Sequence, residues 1–288
     1  MYHKPSFYVK GICVLAITSV IAGCGQVAKE TGVSDEKDAP VSIESQANKE
    51  SVKPAPFKVK DLVDVEEGTL PVILSAPHGG KKVAKSVNIR TNDITYLDYN
   101  TSELTDAIQK SLLKKTGKKA FVVKAIVSRK YIDFNREKGS GSFENPSMAP
   151  VYDYYYQSLS EAADSIKKIN KKAAILIDIH CQSEDRNQIF RGTYNGKTAD
   201  LNSLNAPNGL IGTMIENKLS VVMNVNGSAR EQLRGDEIIN SEMITKKNID
   251  RIQLEFGGKY IDDKKVNATA DKMADAIISH LRSQGYKI

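Results

Sequence analysis

From Leu70 onward the chain predicts an α/β fold: a three-layer arrangement in which a mostly parallel, mixed sheet carries helices on both faces. Three observations predict it. Apolar runs alternate with helix-period stretches; two of those runs, Pro71 to His78 and Ala173 to His180, each end on a histidine; and a third, Ile252 to Phe256, carries Glu255 among apolar neighbours. The carboxyl ends of the strands form the ligand crevice of an open α/β sheet, so two imidazoles and a carboxylate delivered there would converge.

The elements follow in order. After the first run, Asn100 with Glu103 reads as a capping-box start, and Leu104, Ile108 and Leu112 share one helix face until Gly117. A strand over Ala120 to Val127 comes next, then a helix from Tyr152 to about Asn170 and the strand that reaches His180. The segment Arg186 to Thr193, a helix around Leu210 to Leu219 and the run Ser220 to Val225 continue the alternation. The strand Asp250 to Phe256 and a C-terminal helix with Met273, Ala276, Ile277 and Leu281 on one face complete it. Gly139 to Ser142 and Asn145-Pro146 mark a surface loop behind Arg136.

The N-terminus has another character. His3-Lys4 and Lys10 form a basic region, Gly11 to Ala22 a short apolar one, and Ile21-Ala22-Gly23-Cys24 sets small residues before a cysteine. This resembles a bacterial lipoprotein signal with its lipobox. Residues 1–23 are expected to be removed, leaving a lipid-modified Cys24, a palmitate-type membrane anchor and an extracytoplasmic location. Residues 24–57 are rich in Lys, Glu, Asp, Ser and Gln and read as a tether that cannot bury enough surface to fold. Residues 58–288 remain for a single domain.

The net charge of +6 falls to about +4 once Lys4 and Lys10 leave. Because the lysines are scattered and mixed with acids, they read as solvated helix faces, and no nucleic-acid partner is expected. Of the cysteines, Cys13 leaves with the signal and Cys24 takes lipid, so Cys181 stands alone and no disulfide framework exists. Cys181 follows His180, and consecutive strand residues face opposite ways. It is expected to be a small packed side chain and not a nucleophile.

His78, His180 and His280 are the histidines of the mature chain, and the first two end apolar strands while the third lies in the last helix. Zinc in hydrolytic sites takes imidazole nitrogens and a carboxylate, with one position open. Asp98 is the expected third ligand; Glu103 and Asp178 compete, although Glu103 has the capping role and Asp178, two residues before His180, suits a partner for its ring. Glu255 is the expected general base. Arg129 and Arg136 need anionic partners: a fixed guanidinium can polarise a scissile carbonyl or clamp a carboxylate, and the plain alternative is a pair of structural salt bridges. Gly79 and Gly80 would let backbone approach a ligand.

Taken together these pieces resemble the N-formylglutamate amidohydrolase-like family, related in fold to the zinc carboxypeptidases. The matching segments are Ser75 to Gly80, Asp98 to Leu104, Ser128 to Arg136, Ile177 to His180 and Ile252 to Glu255. The most specific is Asp133-Phe134-Asn135-Arg136, because the carboxypeptidases hold a substrate carboxylate with a similar Asn-Arg pair. The resemblance implies a phosphorylase/hydrolase-like fold and a zinc-dependent hydrolase of a C–N amide bond beside a carboxylate, acting on N-acyl amino acids, peptide ends or cell-wall peptides. His78 and His180 would be ligands, Glu255 the base, and Asn135 with Arg136 the carboxylate anchor. One departure is plain: Lys81 stands where the carboxypeptidase pattern has a glutamate, three residues after the first histidine. The competing reading is a substrate-binding or adhesive surface lipoprotein that keeps the fold without catalysis.

Overall fold

A computed structural model describes residues 57–288 apart from 226, 227 and 229. The signal, Cys24 and most of the tether lie outside the described residues. Among the described residues no helix is long and apolar enough to cross a membrane.

The sheet has seven strands: β1 (Val63–Glu66), β2 (Val72–Ala76), β3 (Phe121–Ala125), β4 (Ile175–Gln182), β5 (Ile189–Gly192), β6 (Val221–Val222) and β7 (Asp250–Gly257). Their order is β1-β3-β2-β4-β7-β5-β6. The central pairs β3-β2, β2-β4 and β4-β7 are parallel, as is β5-β6, while β1 on β3 and β5 on β7 run antiparallel. The helices are α1 (Thr101–Thr116), α2 (Ala149–Asn170), α3 (Leu201–Asn205), α4 (Leu210–Glu216), α5 (Glu237–Asn240), α6 (Glu242–Thr245), α7 (Gly258–Ile261) and α8 (Val266–Ser283).

Strand alternation divides the apolar residues into two cores, one on each face of the sheet. Val72 and Leu74 of β2, Ile175, Ile177 and Ile179 of β4 and Leu254 of β7 pack beneath α1, α4 and α8, through Leu104, Ile108, Met214, Met273 and Ile277. Ile73, Val123 and Leu176 point the other way, against Val151, Tyr155 and Leu159 of α2 and Ile238 of α5. The second face holds the chemistry. Asp178 and His180 alternate with the isoleucines of β4, and Glu255 lies opposite His180 in the parallel register of β4 and β7. Because β3 lies on one side of β2 and β4 on the other, strand order reverses at β2, and the loop that follows β2 opens beside the end of β4.

The structure corrects several expectations. The strand expected over Ser220 to Val225 shrinks to Val221–Val222, and β1 is an edge strand whose Val-Asp-Val-Glu alternation goes with half-exposed packing. The capping box at α1 does not form. Asn100 sits in the left-handed region with φ 54° and makes no side-chain cap; its Nδ2 donates instead to Ile261 O (2.9 Å) and Asp263 Oδ1 (2.6 Å). Glu103 accepts from Lys81 Nζ at 2.6 Å on the surface and so leaves the metal competition. The glycines after His78 answer to packing: a Cβ on Gly79 would overlap Ser102, and one on Gly80 would overlap the backbone of Ile126 and Val127.

Candidate active site

Each histidine is held at one ring nitrogen by a buried carboxylate and offers the other to Asp98. His78 Nε2–H donates to Asp133 Oδ1 at 2.7 Å, and His180 Nε2–H to Asp178 Oδ2 at 2.8 Å. Their Nδ1 atoms lie 3.3 and 3.0 Å from the same oxygen, Asp98 Oδ2. The two rings meet edge to face, with centroids 4.8 Å apart. The carboxylates in turn are fixed. Asp178 accepts from Ser75 Oγ (2.7 Å); Asp133, fully buried, also accepts from Arg129 Nε (2.9 Å) and the Asn135 backbone N–H (2.9 Å).

This donor set fits a metal ion. With both Nε2 hydrogens committed to carboxylates, the Nδ1 lone pairs and Asp98 Oδ2 are three acceptors facing one another, which only a cation or protons reconcile. Among the described residues His78, Asp98 and His180 form a group whose ligand atoms all lie within 4.8 Å of one another. Ligands of a small divalent ion stand roughly 3 to 4 Å apart, and both Nδ1 atoms lie in that range from Asp98 Oδ2. Burial opposes the charge on Asp98, but the imidazoles of His78 and His180 outweigh it and hold the carboxyl below the usual range. Asp133 behaves alike: burial is outweighed by His78 and Arg129. For His180 burial is again opposed, by Asp178, whose charge and hydrogen bond raise the ring well above an ordinary histidine.

Glu255 stands beside this cluster. Burial pushes its carboxyl up to about 7, against the pull of His180 and of a hydrogen bond from Gln253. That bond, Gln253 Nε2 to Glu255 Oε1, is 2.7 Å. A carboxyl poised near neutrality in a cleft is suited to proton transfer. These residues line a cavity of about 620 Å³, together with Arg129, Arg136, Cys181 and Gln182. Cys181 packs against the α1–α8 core, as the alternation predicts, and burial raises its thiol to about 11.

Two residues are arranged differently from the sequence expectation. Asn135 is committed within the chain: its Oδ1 accepts from the Ile238 backbone N–H (2.9 Å) and its Nδ2 donates to Gln253 Oε1 (3.3 Å). Arg136 bridges two carboxylates, donating from Nε to Asp93 (2.6 Å) and from Nη1 to Asp236 (2.5 Å). Arg129 also works first on its own chain, reaching Asp98 Oδ1 at 3.4 Å besides clamping Asp133. Sequence reasoning missed the roles of Asp133 and Gln253. The signal was present: an acid between Ile132 and Phe134, and an amide two residues before Glu255 on the same strand face.

A three-layer α/β fold with a buried histidine–carboxylate cluster and a neighbouring glutamate at the switch point is the class this chain defines. No family model matches the chain, and no curated protein matches it either. Solved structures do. N-formylglutamate amidohydrolase from Ralstonia eutropha JMP134 is similar over 78% of this chain and 97% of its own, at a TM-score of 0.54 and 15% identity. A gene product from Agrobacterium tumefaciens is similar over 78% and 99%, at 0.56 and 14%. At such identities the likeness is one of fold.

Proposed function

We propose that this protein is a zinc-dependent hydrolase of C–N amide bonds in small N-acyl amino acids or peptides, cell-wall peptides included. The observation that carries this reading is the convergence of two imidazole lone pairs and the Asp98 carboxylate in a cavity that also holds Glu255. His78, Asp98 and His180 would hold the zinc, which when bound supplies Lewis acidity toward a carbonyl and makes water nucleophilic at neutral pH.

The chain's own side chains account for the remaining needs. Asp133 and Asp178 fix the tautomer and tilt of the two rings. Glu255, with its carboxyl near 7, takes the proton of the attacking water and returns it to the leaving nitrogen, so that the C–N bond breaks to an acid and an amine. Arg129, at the cavity wall, stabilises negative charge on the acyl oxygen. Asn135 and Arg136 shape the wall against which the substrate lies. Ile21-Ala22-Gly23-Cys24 supports a lipid anchor and an extracytoplasmic location.

The test is a screen of zinc-loaded protein against N-acyl amino acids and muropeptides with mass-spectrometric detection, alongside elemental analysis. Stoichiometric zinc and amide cleavage are expected. Protein that purifies without zinc and cleaves nothing is a binding module. For the anchor, Cys24→Ser should abolish incorporation of a labelled acyl chain; wild-type chain that takes up no label is not a lipoprotein.

A further inference from the structure

An arginine recognises a carboxylate best through two parallel N–H donors, using either the Nε/Nη2 edge or the Nη1/Nη2 end of its guanidinium. Arg136 has neither pair free. Nε is taken by Asp93 at 2.6 Å, and Nη1 by Asp236 at 2.5 Å and by the Asn135 carbonyl at 2.9 Å. One positive charge is thus matched by two negative ones. Both acids are solvent-facing, with side chains 36% and 54% exposed, so they add to the field that an entering ligand meets.

The rest of the cavity wall does not reverse that sign. Among the described residues that line it there is no lysine, and the other guanidinium, Arg129, is paired with Asp133 and Asp98. Glu184, exposed and without a salt bridge among the described pairs, adds another negative charge to the lining. Apolar and aromatic side chains line the same cavity: Ile94, next to Asp93 in the chain, and Tyr96 are 47% and 81% exposed. Acidic side chains and an open tyrosine ring in one cavity suit an ammonium group, by direct attraction and by cation–π contact.

We infer that Asp93 and Asp236, by holding Arg136 between them, make this cavity select substrates that carry an amine at the Arg136 end in place of a free carboxylate. Asp236 is the specificity-determining residue, since it lines the cavity itself. The inference rests on the reading of the cavity as an amidohydrolase site and changes the class of substrate that site takes, from N-acyl amino acids with a free acid to amine-bearing amides and peptides.

Three compounds differing in one group test it: N-acetyl-alanyl-glycine, with a carboxylate; its glycinamide, which is neutral; and N-acetyl-alanyl-ethylenediamine, with an ammonium. On the zinc-loaded full chain, kcat/KM should rise in that order, by roughly tenfold or more from first to last, the worth of reversing one unit charge near a half-exposed acid. Asp236→Asn should compress that ratio to near one or invert it; its surface position leaves the backbone N–H of residue 236 bonded to Gln253. Calorimetric titration of the same compounds reads binding apart from turnover. Preferential binding of the ammonium compound with no cleavage of any would sustain the charge preference while removing the hydrolase reading. Cleavage with the carboxylate preferred would do the reverse. Equal binding of all three, no binding of any, or an unchanged ratio in Asp236→Asn would overturn the inference.

Discussion

His78 Nε2 and Asp133 Oδ1 stand 2.7 Å apart with both groups buried, and Arg129 closes on the other oxygen of that carboxylate at 2.8 Å. The acid is thus a fixed support for one ring and a fixed partner for one guanidinium. Asp133→Asn keeps the shape but removes the charge that holds the ring nitrogen protonated. Zinc affinity, read by chelator competition, should fall by about 10- to 100-fold. Unchanged affinity would make Asp133 a partner of Arg129 alone.

Removal of a ligand should be more severe. His78→Ala and His180→Ala each delete one of two imidazoles facing Asp98, and elemental analysis should find no stoichiometric zinc in either. Full occupancy in both variants would displace the metal from this cluster.

Glu255→Gln separates proton transfer from metal binding. The amide fills the same space beside Gln253 but cannot accept a proton, so turnover should drop by roughly two to four orders of magnitude while zinc content stays at wild-type level. Normal turnover would assign the base elsewhere.

His280 gives the pH dependence of stability a definite sign. It is buried on α8, its Nδ1 has no partner, and burial lowers its pKa from 6.5 to about 4. Above pH 6.5 the ring is neutral folded or unfolded and adds nothing. As pH falls from 6.5 toward 4 the unfolded chain takes up a proton that the folded chain refuses, and stability is lost. The loss approaches about 3 kcal/mol near pH 4. His280→Gln should remove that component, so denaturant melts at pH 7 and pH 4.5 should differ less in the variant than in the wild type. Parallel pH curves would show that the ring protonates in place.

Arg191 and Glu231 form a buried pair at 2.9 Å that ties the segment after β6 to β5; Glu231 also accepts from the backbone N–H groups of Thr193 and Asn195, each at 2.8 Å. Glu231→Ala leaves a buried guanidinium without its counter-charge. A loss of about 3 to 5 kcal/mol in urea unfolding is expected. A loss under 1 kcal/mol would mean that water reaches Arg191.

The parts of this molecule legible in its sequence are those whose signal is local. β2, β4 and β7 stand out because both faces of a central parallel strand are buried, which leaves continuous apolar runs. His180 and Glu255 are legible as polar exceptions within β4 and β7, and His78 as the polar residue that closes the run of β2. β1 was not, because Val63 to Glu66 alternates with acids like any edge segment. Asn100 and Glu103 carried the pattern of a cap yet answer to Asp263 and Lys81, which only the fold brings near. The same holds for Arg136, whose partners Asp93 and Asp236 come from distant segments. A sequence shows which side chains are charged; it does not show which charges are already answered.

The order in which the donors occur along the chain has a kinetic consequence. His78 and His180 are 20 and 82 residues from the Asp98 that both face, so no short stretch of unfolded chain can gather the set. A metal ion at this cluster would find its partners only after β2, β4 and the start of α1 have docked, past the point at which most long-range contacts exist. Occupancy would therefore leave the rate of refolding nearly untouched and act on the reverse step, lengthening the lifetime of the assembled state.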